Sequence, residues 1–279
     1  MNKKPNVMIA ISHGLYEPWI SILENGQKRT WLQSIRPQNV EIVHFHGTPV
    51  GKFGWKLDRL HESIRWFNRW LAFFLRVWDR IIAIPFTFYI PRFEESKLLH
   101  EQDVSIHIKL PDTYRLMRWK DLAIFDYFLK CSNAHFIFMT TTSSYINIAK
   151  LNDMIEKLPL KNLYAGVKAY KGAEFAAGNN RLISRDVVEQ IVRNRVLFDP
   201  GYIEDYSLGK LMTRLGIIFK ELPSLHIQDE SILEKISFPE LNNYFHIRVK
   251  SGTFNHRNDV YLMNVIHERL VTNPYTGAN

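Results

Sequence analysis

The sequence predicts an α/β fold, in which a mostly parallel β-sheet is flanked by helices. Short apolar runs alternate along the chain with longer segments whose apolar residues recur every three or four positions, which is the order that such sheets require. The 279 residues can bury a sizeable core, and 46% are hydrophobic and 23% charged, as in globular proteins. We therefore expect one domain over residues 1–279.

The N-terminal half predicts four strands and two helices. An apolar run over 7–12 follows Pro5 and indicates a buried first strand, and the helical spacing over 19–35 stops before Pro37. The other predicted elements are a strand over 40–45, a strand over 104–108 that Pro111 ends, a helix over 114–130 and a strand over 136–139.

The C-terminal half continues the alternation. Ser184 suits the N-cap of a helix over 186–194, and Gly216 suits the left-handed end of a helix over 206–215. The other predicted elements are a helix over 148–158, strands over 162–168, 217–221, 224–227 and 244–249, and a helix over 259–271. Residues from about 240 to 279 form a C-terminal strand–helix extension.

An insert at about residues 57–95 does not fit this alternation. Apolar side chains, many of them Trp and Phe, recur at helical spacing, and Arg65, Arg69, Arg76 and Arg80 share one side. Arginines and Asp79 interrupt every window long enough to cross a bilayer, so we expect no transmembrane helix. Two interpretations remain: a basic helix lying in the lipid headgroup region, or an amphipathic helix packed on the core.

The composition limits the partners and the compartment. A net charge of +8 suits an anionic partner, but nucleic acid is not expected, because no Lys/Arg run exceeds two residues and no zinc or RNA-binding motif is present. Cys131 is the only cysteine, as is typical of a reducing compartment, and no apolar signal region begins the chain. We expect a cytoplasmic protein, peripheral at the inner face of the cytoplasmic membrane if the insert contacts lipid.

Hydroxyl side chains end the strand over 136–139. Thr140, Thr141, Thr142 and Ser143 follow it directly, and ligands of α/β sheets bind beyond the carboxyl ends of strands. The sequence therefore predicts a polar site here.

Five segments, in order, resemble the β1,3-glycosyltransferase and fringe family. They are Lys28–Trp31 (R-x-T-W), Asp112–Tyr114 with Trp119-Lys120 (D-x-Y…L-K), 138–147 (K-x-D-D-D-x-F-x-N), 177–186 (G-G-G-Y-x-L-S-x-D), and Glu204-Asp205 with Gly209 (E-D-V-x-x-G). The resemblance covers roughly residues 7–220. It implies a GT-A fold and inverting transfer of a sugar, usually from a UDP-sugar with Mn²⁺, and we expect a role in bacterial surface polysaccharide synthesis, such as lipopolysaccharide or capsule.

The resemblance also implies residue roles. Asp205 matches the family's catalytic base, which takes the acceptor proton, and we assign Gly178, Asn179 and Glu204 to acceptor binding. Thr141, Thr142 and Ser143 replace the metal-binding carboxylates, and hydroxyls hold Mn²⁺ poorly. We therefore expect no metal and no other cofactor.

A donor diphosphate without a metal needs cationic side chains. Alternate strand residues point the same way, so His246, Arg248 and Lys250 would clamp the diphosphate, joined by His256 or Arg257. The charged face of an edge strand would show the same alternation. We assign the following residues to the donor by position: Ser12, His13, Arg29, Asp112, Lys120, Thr141, Thr142 and Ser143.

The expected partners are a nucleotide-sugar donor and an oligosaccharide or lipid-linked glycan acceptor. The alternative is a catalytically inactive family member that binds a glycan or a partner protein, since such a member would also lose the carboxylates. Glu204 and Asp205 also suit the first turn of a helix, where carboxylates interact with the helix dipole. The presence of Glu204-Asp205 together with the basic segment 246–250 argues against an inactive member.

Overall fold

The computed structural model describes residues 5–34, 37–51, 54, 56–58, 60, 63, 64, 69–97, 103–252 and 257–272. It confirms the α/β fold. Within these residues an eight-stranded sheet has the order β3-β4-β2-β1-β5-β8-β7-β9. Its strands are β1 (Val7–Ser12), β2 (Val40–Thr48), β3 (Phe93–Lys97), β4 (Asp103–Pro111), β5 (Phe136–Thr141), β7 (Tyr164–Lys168), β8 (Ala176–Ser184) and β9 (Phe219–Glu221).

The sheet is mostly parallel. Strands β4, β2, β1 and β5 pair in parallel, as do β7 and β9, whereas β3 and β8 run antiparallel to their neighbours. A smaller sheet has the order β10-β11-β6, formed by β6 (Ser144–Ile146), β10 (Leu225–His226) and β11 (His246–Arg248). Because β6 follows β5 after a two-residue turn, the small sheet lies at the carboxyl end of the central strands.

Helices cover the sheet. They are α1 (Trp19–Ser21), which continues as a π-helical segment (Ile22–Gln27), α2 (Arg69–Phe88), α3 (Met117–Cys131), α4 (Ile148–Ile155), α5 (Arg185–Arg193), α6 (Glu204–Arg214), α7 (Glu230–Lys235), α8 (Phe238–Asn242) and α9 (Asp259–Thr272). Two short 3₁₀ turns cover Trp31–Gln33 and Arg195–Leu197. Gly216 has a φ of 70°, which confirms the predicted left-handed end after α6.

Both faces of the sheet are buried, as the strand periodicity requires. Met8 and Ala10 of β1 face a core formed with α3, α5 and α6. Ile9 and Ile11, which point the other way, face a second core that includes Trp31, α4 and α9. The central strands are therefore fixed from both sides, which holds their ends rigid.

Four parallel strands and the start of β8 meet at one edge of the sheet. Strands β1, β2, β4 and β5 end there at Ser12, Thr48, Pro111 and Thr141. Since β8 runs the other way and Asn180 pairs with Thr140, its first residues lie at the same edge. The predicted site residues at Thr141–Ser143 and Gly178–Asn179 are thereby brought together.

The sequence prediction differs from the structure in several elements. The helix predicted over 19–35 is broken into α1, the π-helical segment and a 3₁₀ turn, and Gly26 in the π-helical segment packs against α9, where an added Cβ would be 3.0 Å from Met263 Sδ. Strands β3, β6 and β8 and helices α7 and α8 were not predicted. Of the predicted insert, residues 65–68, which include Arg65, lie outside the described residues, as does His256.

Candidate functional site

The loop that joins β5 to β6 carries the hydroxyl cluster, and buried side chains hold it. Gln27 Nε2 donates to the carbonyl oxygens of Thr141 and Ser144 at 3.1 and 2.9 Å, and Trp31 Nε1 donates to Ser144 O at 3.1 Å. Thr142 and Ser143 are buried. The Lys28–Trp31 segment thus contributes a structural anchor for this loop, which its sequence did not indicate.

Arg257 occupies the position next to the hydroxyls. Its Nη2 donates to Ser143 Oγ at 2.7 Å, and the guanidinium forms a two-point ion pair with buried Asp259. The guanidinium also lies 5.0 Å from the centre of the Trp19 ring. A fixed cation therefore stands beside Ser143, where the resembled family has a metal-binding carboxylate.

Arg248 lies close to Arg257 at the same edge. Its Nη1 donates to Asn179 Oδ1 at 3.1 Å, and its buried Nε has no hydrogen-bond partner among the described residues. Burial, followed by the charge of Arg257, lowers the pKa of Arg248. Two neighbouring guanidinium groups with an unused donor form a favourable position for an anion.

An open pocket adjoins Arg248. It has a volume of about 400 Å³ and is lined by His226, Gln228, Arg248, Lys250 and Gly252. Burial, and then the charges of Arg248 and Lys250, lower the pKa of His226. The volume lies within the range of small-ligand pockets, and the cations give it a positive potential. Neither His226 nor Gln228 was predicted from the sequence.

His246 does not have the predicted cationic character. The side chain is fully buried, with Nδ1 2.7 Å from Ser224 Oγ and Nε2 3.0 Å from Ser144 Oγ. Burial, and then the charge of Arg248, lowers its pKa to about 3. A neutral imidazole bound on both sides ties β11 to β6 and to the residue before β10 within the small sheet, and it cannot balance phosphate charge. Of the predicted trio, Arg248 and Lys250 line the pocket and His246 does not.

Asp205 lies in the first turn of α6. Its Oδ1 accepts from Tyr206 N at 2.8 Å, and the Gly178 amide is a second hydrogen-bond partner. Burial, and then the charge of Glu204, raises the pKa of Asp205 to about 6, against the opposing effect of Arg181. Gly178 and Asn179 are adjacent in the chain, and they bind Asp205 and Arg248 respectively, so the carboxylate and the guanidinium lie at the same strand end.

Glu204 is not available to an acceptor. It forms an ion pair with buried Arg181, whose Nη2 is also 2.9 Å from Asp121 Oδ2. Burial raises the pKa of Glu204, and Arg181 opposes this. The acceptor role predicted for Glu204 is therefore replaced by a structural one, because the ion pair ties the start of α6 to β8. Gly209 allows α6 to pack closely against Phe175, the residue before β8, since a Cβ at position 209 would lie 2.5 Å from Phe175 Cβ.

Asp112 and Lys120 bind each other instead of pointing to an open site. Lys120 Nζ lies 2.5 Å from Asp112 Oδ1, and both side chains are at most 5% exposed. The Asp112 backbone also bonds to Thr48 O at 2.7 Å. The donor contacts predicted for these two residues therefore give way to a buried ion pair that links β4 to α3.

Ser12 and His13 do lie at the predicted strand end, with Ser12 Oγ 3.8 Å from Met117 Sδ. Burial, and then His44 and His46, lowers the pKa of His13 to about 3, so its ring is neutral. Arg29 is exposed, whereas the charge of Lys28 reaches His13. Lys28 Nζ itself forms an ion pair with Glu24 Oε1 at 2.6 Å.

The strand end does not fit a divalent metal ion. Thr141, Thr142 and Ser143 offer neutral oxygens, and Arg257 adds a positive charge beside them, whereas hard cations select carboxylates. Within the described part of the chain, no three His, Cys, Asp or Glu side chains are grouped as metal ligands.

No protein-family model matches the sequence, and neither does any curated protein sequence. The structure is similar to the glycosyltransferase GlyE from Streptococcus pneumoniae TIGR4, with 13% identity, a TM-score of 0.46 and coverage of 97% of this chain and 62% of GlyE. It is also similar to the galactosyltransferase LgtC, solved with donor and acceptor sugar analogues, with 8% identity, a TM-score of 0.46 and coverage of 96% and 97%. The bifunctional glycosyltransferase WbbM is similar as well, with 10% identity, a TM-score of 0.45 and coverage of 99% of this chain and 51% of WbbM. The chain thus spans about three fifths of GlyE and half of WbbM.

Proposed function

We propose that this chain is an inverting glycosyltransferase of the GT-A type that moves a sugar from a nucleotide-diphosphate sugar, most simply a UDP-sugar, to a glycan hydroxyl. The observation that carries the proposal is that the adjacent residues Gly178 and Asn179 bind Asp205 and Arg248 respectively, so that a carboxylate and a guanidinium lie at the same strand end. Sugar transfer needs such a pair, because a proton is removed on one side of the anomeric carbon while negative charge develops on the other.

Asp205 supplies the base. With a pKa of about 6, its carboxylate is ionised at neutral pH and still accepts a proton readily, which is the compromise that general bases require. The acceptor oxygen attacks the anomeric carbon and its proton passes to Asp205. The bond from that carbon to the diphosphate oxygen breaks with its electron pair, and the nucleoside diphosphate leaves. One displacement inverts the anomeric configuration.

The cations supply the leaving-group stabilisation. Arg248 offers its unpaired Nε, Lys250 lines the same pocket, and Arg257 adds fixed charge through Ser143. These groups are held before the reaction begins, so they stabilise the diphosphate without reorganising. We propose that they replace a metal ion, and that Thr141, Thr142 and Ser143 serve as hydrogen-bonding groups.

Gly178 and Asn179 border the proposed acceptor side. The Gly178 amide is bound to Asp205, and the Asn179 side chain accepts from Arg248, so both lie between the base and the cations. An acceptor hydroxyl that reaches Asp205 must pass this edge. We propose an oligosaccharide or lipid-linked glycan as the acceptor, and a cytoplasmic role in bacterial surface polysaccharide synthesis, as the sequence resemblance implies.

The test is a release assay for the nucleoside diphosphate with a panel of UDP-sugars and glycan acceptors. Asp205→Asn keeps the shape and the hydrogen bond from Tyr206 N but cannot take a proton, and we expect turnover to fall by about 10²-fold or more. The matched control is Asp186→Asn, another aspartate in the first turn of a helix, which lies beside the start of β5 at the opposite end of the sheet; it should retain wild-type turnover.

Wild-type turnover in the Asp205 variant would contradict the base assignment. The alternative of an inactive glycan- or partner-binding protein predicts no release by the wild-type chain with any donor and acceptor in the panel. Arg248, with its unused donor beside the pocket, favours the enzyme, because an inactive protein has no need for a phosphate site.

A further inference from the structure

Helix α2 presents its apolar side to solvent. Trp70, Phe73, Phe74, Trp78, Ile81 and Phe88 are each 53% to 80% exposed. At 100° per residue they fall within roughly 140° of the helix circumference. An apolar stripe of this width normally faces the core, so the orientation of α2 is the reverse of an ordinary surface helix.

Polar groups attach the other side of α2 to the protein. Asp79 pairs with Arg115 at 2.5 Å and Arg80 with Asp199 at 3.1 Å. Arg76 lies 5.9 Å from the centre of the Tyr202 ring, and Ala72 is 1% exposed. The ion pairs fix the orientation, and the aromatic residues on the outer face are not needed to hold the helix in place.

The segment around this helix is basic. Residues 52–92 contain eight Lys and Arg and three Asp and Glu, a net charge of +5 out of +8. Two of the three acids, Asp58 and Asp79, are buried, and they bind the Tyr114 amide and the Arg115 side chain. These two acids are thus buried against the protein, whereas Lys56 and Arg92 of the same segment are exposed.

We infer that α2 docks on an anionic lipid bilayer, with its outer face at the boundary between headgroups and acyl chains. Trp and Phe favour that boundary, and anionic headgroups attract the surrounding cations. A second copy of the chain suits the surface less well, because a twofold contact would place two basic segments against each other. No described helix is long and apolar enough to cross the bilayer, so the docking is peripheral.

The docked helix lies next to the candidate site. Asp58 accepts from the Tyr114 amide and Asp79 binds the Arg115 side chain, and both partners closely follow the end of β4 at the sheet edge where the site lies. If the proposed sugar transfer holds, a lipid-linked acceptor is then presented beside Asp205. The docking itself does not depend on the transfer reaction.

Co-sedimentation with vesicles tests the docking. We expect the wild-type chain to bind vesicles of phosphatidylcholine mixed with phosphatidylglycerol, and to bind pure phosphatidylcholine or high-salt samples much less. Phe74→Glu with Trp78→Glu should weaken binding at least about tenfold, since two charges would enter the apolar boundary. Leu160→Glu with Ile218→Glu, at exposed apolar positions elsewhere, is the matched control and should bind as the wild type does.

Circular dichroism and thermal melting of both double variants show that any loss of binding is not a loss of folding. Binding by the Phe74/Trp78 variant equal to that of the wild type would overturn the inference. The inference would also be overturned if the wild-type chain did not bind anionic vesicles but self-associated in sedimentation velocity, and if the Phe74/Trp78 variant did not self-associate. A second copy of the chain would then cover the face. We expect the Phe74/Trp78 variant to release nucleoside diphosphate at the wild-type rate with a soluble acceptor. This measurement separates a failure of the docking inference from a failure of the proposed function.

Discussion

Asp205 owes its chemistry to its neighbours. The sequence places it in the first turn of a helix, where a carboxylate is common. The structure adds burial and the Glu204 charge, which raise its pKa to about 6. A folded-state pKa above the usual value means that the ionised form is disfavoured in the folded protein. The residue that the reaction needs is therefore one that stability disfavours.

Because the ionised form of Asp205 is disfavoured in the folded protein, replacing Asp205 by a neutral residue should increase stability. Between about pH 4 and 6 the folded chain holds a proton on Asp205 that the unfolded chain has released, so stability falls as pH rises through this window. Asp205→Asn removes the charge and should raise the free energy of unfolding by about 1–3 kcal/mol at neutral pH, with little gain near pH 4. Urea denaturation at the two pH values measures this.

Asp229→Asn should not stabilise the protein as Asp205→Asn does. Hydrogen bonds from Ser231 and Ile232 lower the pKa of this exposed aspartate, so its charge favours the folded state and the variant should not gain stability at neutral pH. If the two variants changed the free energy of unfolding equally, or if Asp205→Asn lowered it, the ionised form of Asp205 would not be disfavoured in the folded protein.

Residue type alone predicted some roles and missed others. Arg248, Lys250 and Asp205 were chosen from spacing and resemblance; the first two line one pocket, and Asp205 lies in the first turn of α6 beside Gly178. His246 and Glu204 were chosen on the same grounds, but Ser224 and Ser144 enclose the first and Arg181 binds the second. The sequence shows that a side chain can carry charge, whereas burial and partners decide whether it does.

The β5–β6 loop depends on anchors that are distant in sequence. Trp31 and Gln27 reach it from more than 100 residues away. Trp31→Phe removes the donor to Ser144 O, which Gln27 continues to bind, and leaves a small void. We expect the free energy of unfolding to fall by about 1–2 kcal/mol and turnover to fall with it, because the loop positions Ser143.

Denaturation and the release assay measure both effects of Trp31→Phe. Trp78→Phe, on the exposed face of α2, is the control and should change neither. A Trp31 variant with wild-type stability and turnover would mean that the indole does not hold the loop.

Periodicity predicted the long buried elements and failed for short or polar ones. Strand β3 is an edge strand with Glu94, Glu95 and Lys97 in its five residues, so it lacks an apolar run. Strand β6 has only three residues. Strand β8 contains the buried polar residues Asn180 and Arg181: the Asn180 backbone pairs with β5, and Arg181 forms ion pairs with Asp121 and Glu204. No local sequence pattern predicts such partners.

The orientation of α2 could not be predicted from the sequence either. Its spacing predicted an apolar face, and both open interpretations used that face. Which side meets the protein is decided by Arg115 and Asp199, which come from other parts of the chain and bind Asp79 and Arg80. Their ion pairs turn the apolar side outward.

For the whole molecule, the alternation of elements predicted the α/β fold and hence the edge at which a site forms. It did not predict the small sheet, which brings β11 beside β6 and so places Arg248 near Asn179. The small sheet and the residues after it thereby contribute Arg248 and Lys250 to the lining of the pocket. The role of those cations in place of a metal ion is the feature on which the proposed reaction depends.

Calorimetry of UDP binding decides that role. We expect the dissociation constant of the wild-type chain to be the same in EDTA and in Mn²⁺, and Arg248→Gln to weaken binding about tenfold or more. Arg193→Gln, at a side chain that is 77% exposed on α5, should leave the affinity unchanged. Binding that disappears in EDTA and returns with Mn²⁺, together with wild-type affinity in the Arg248 variant, would contradict the proposal.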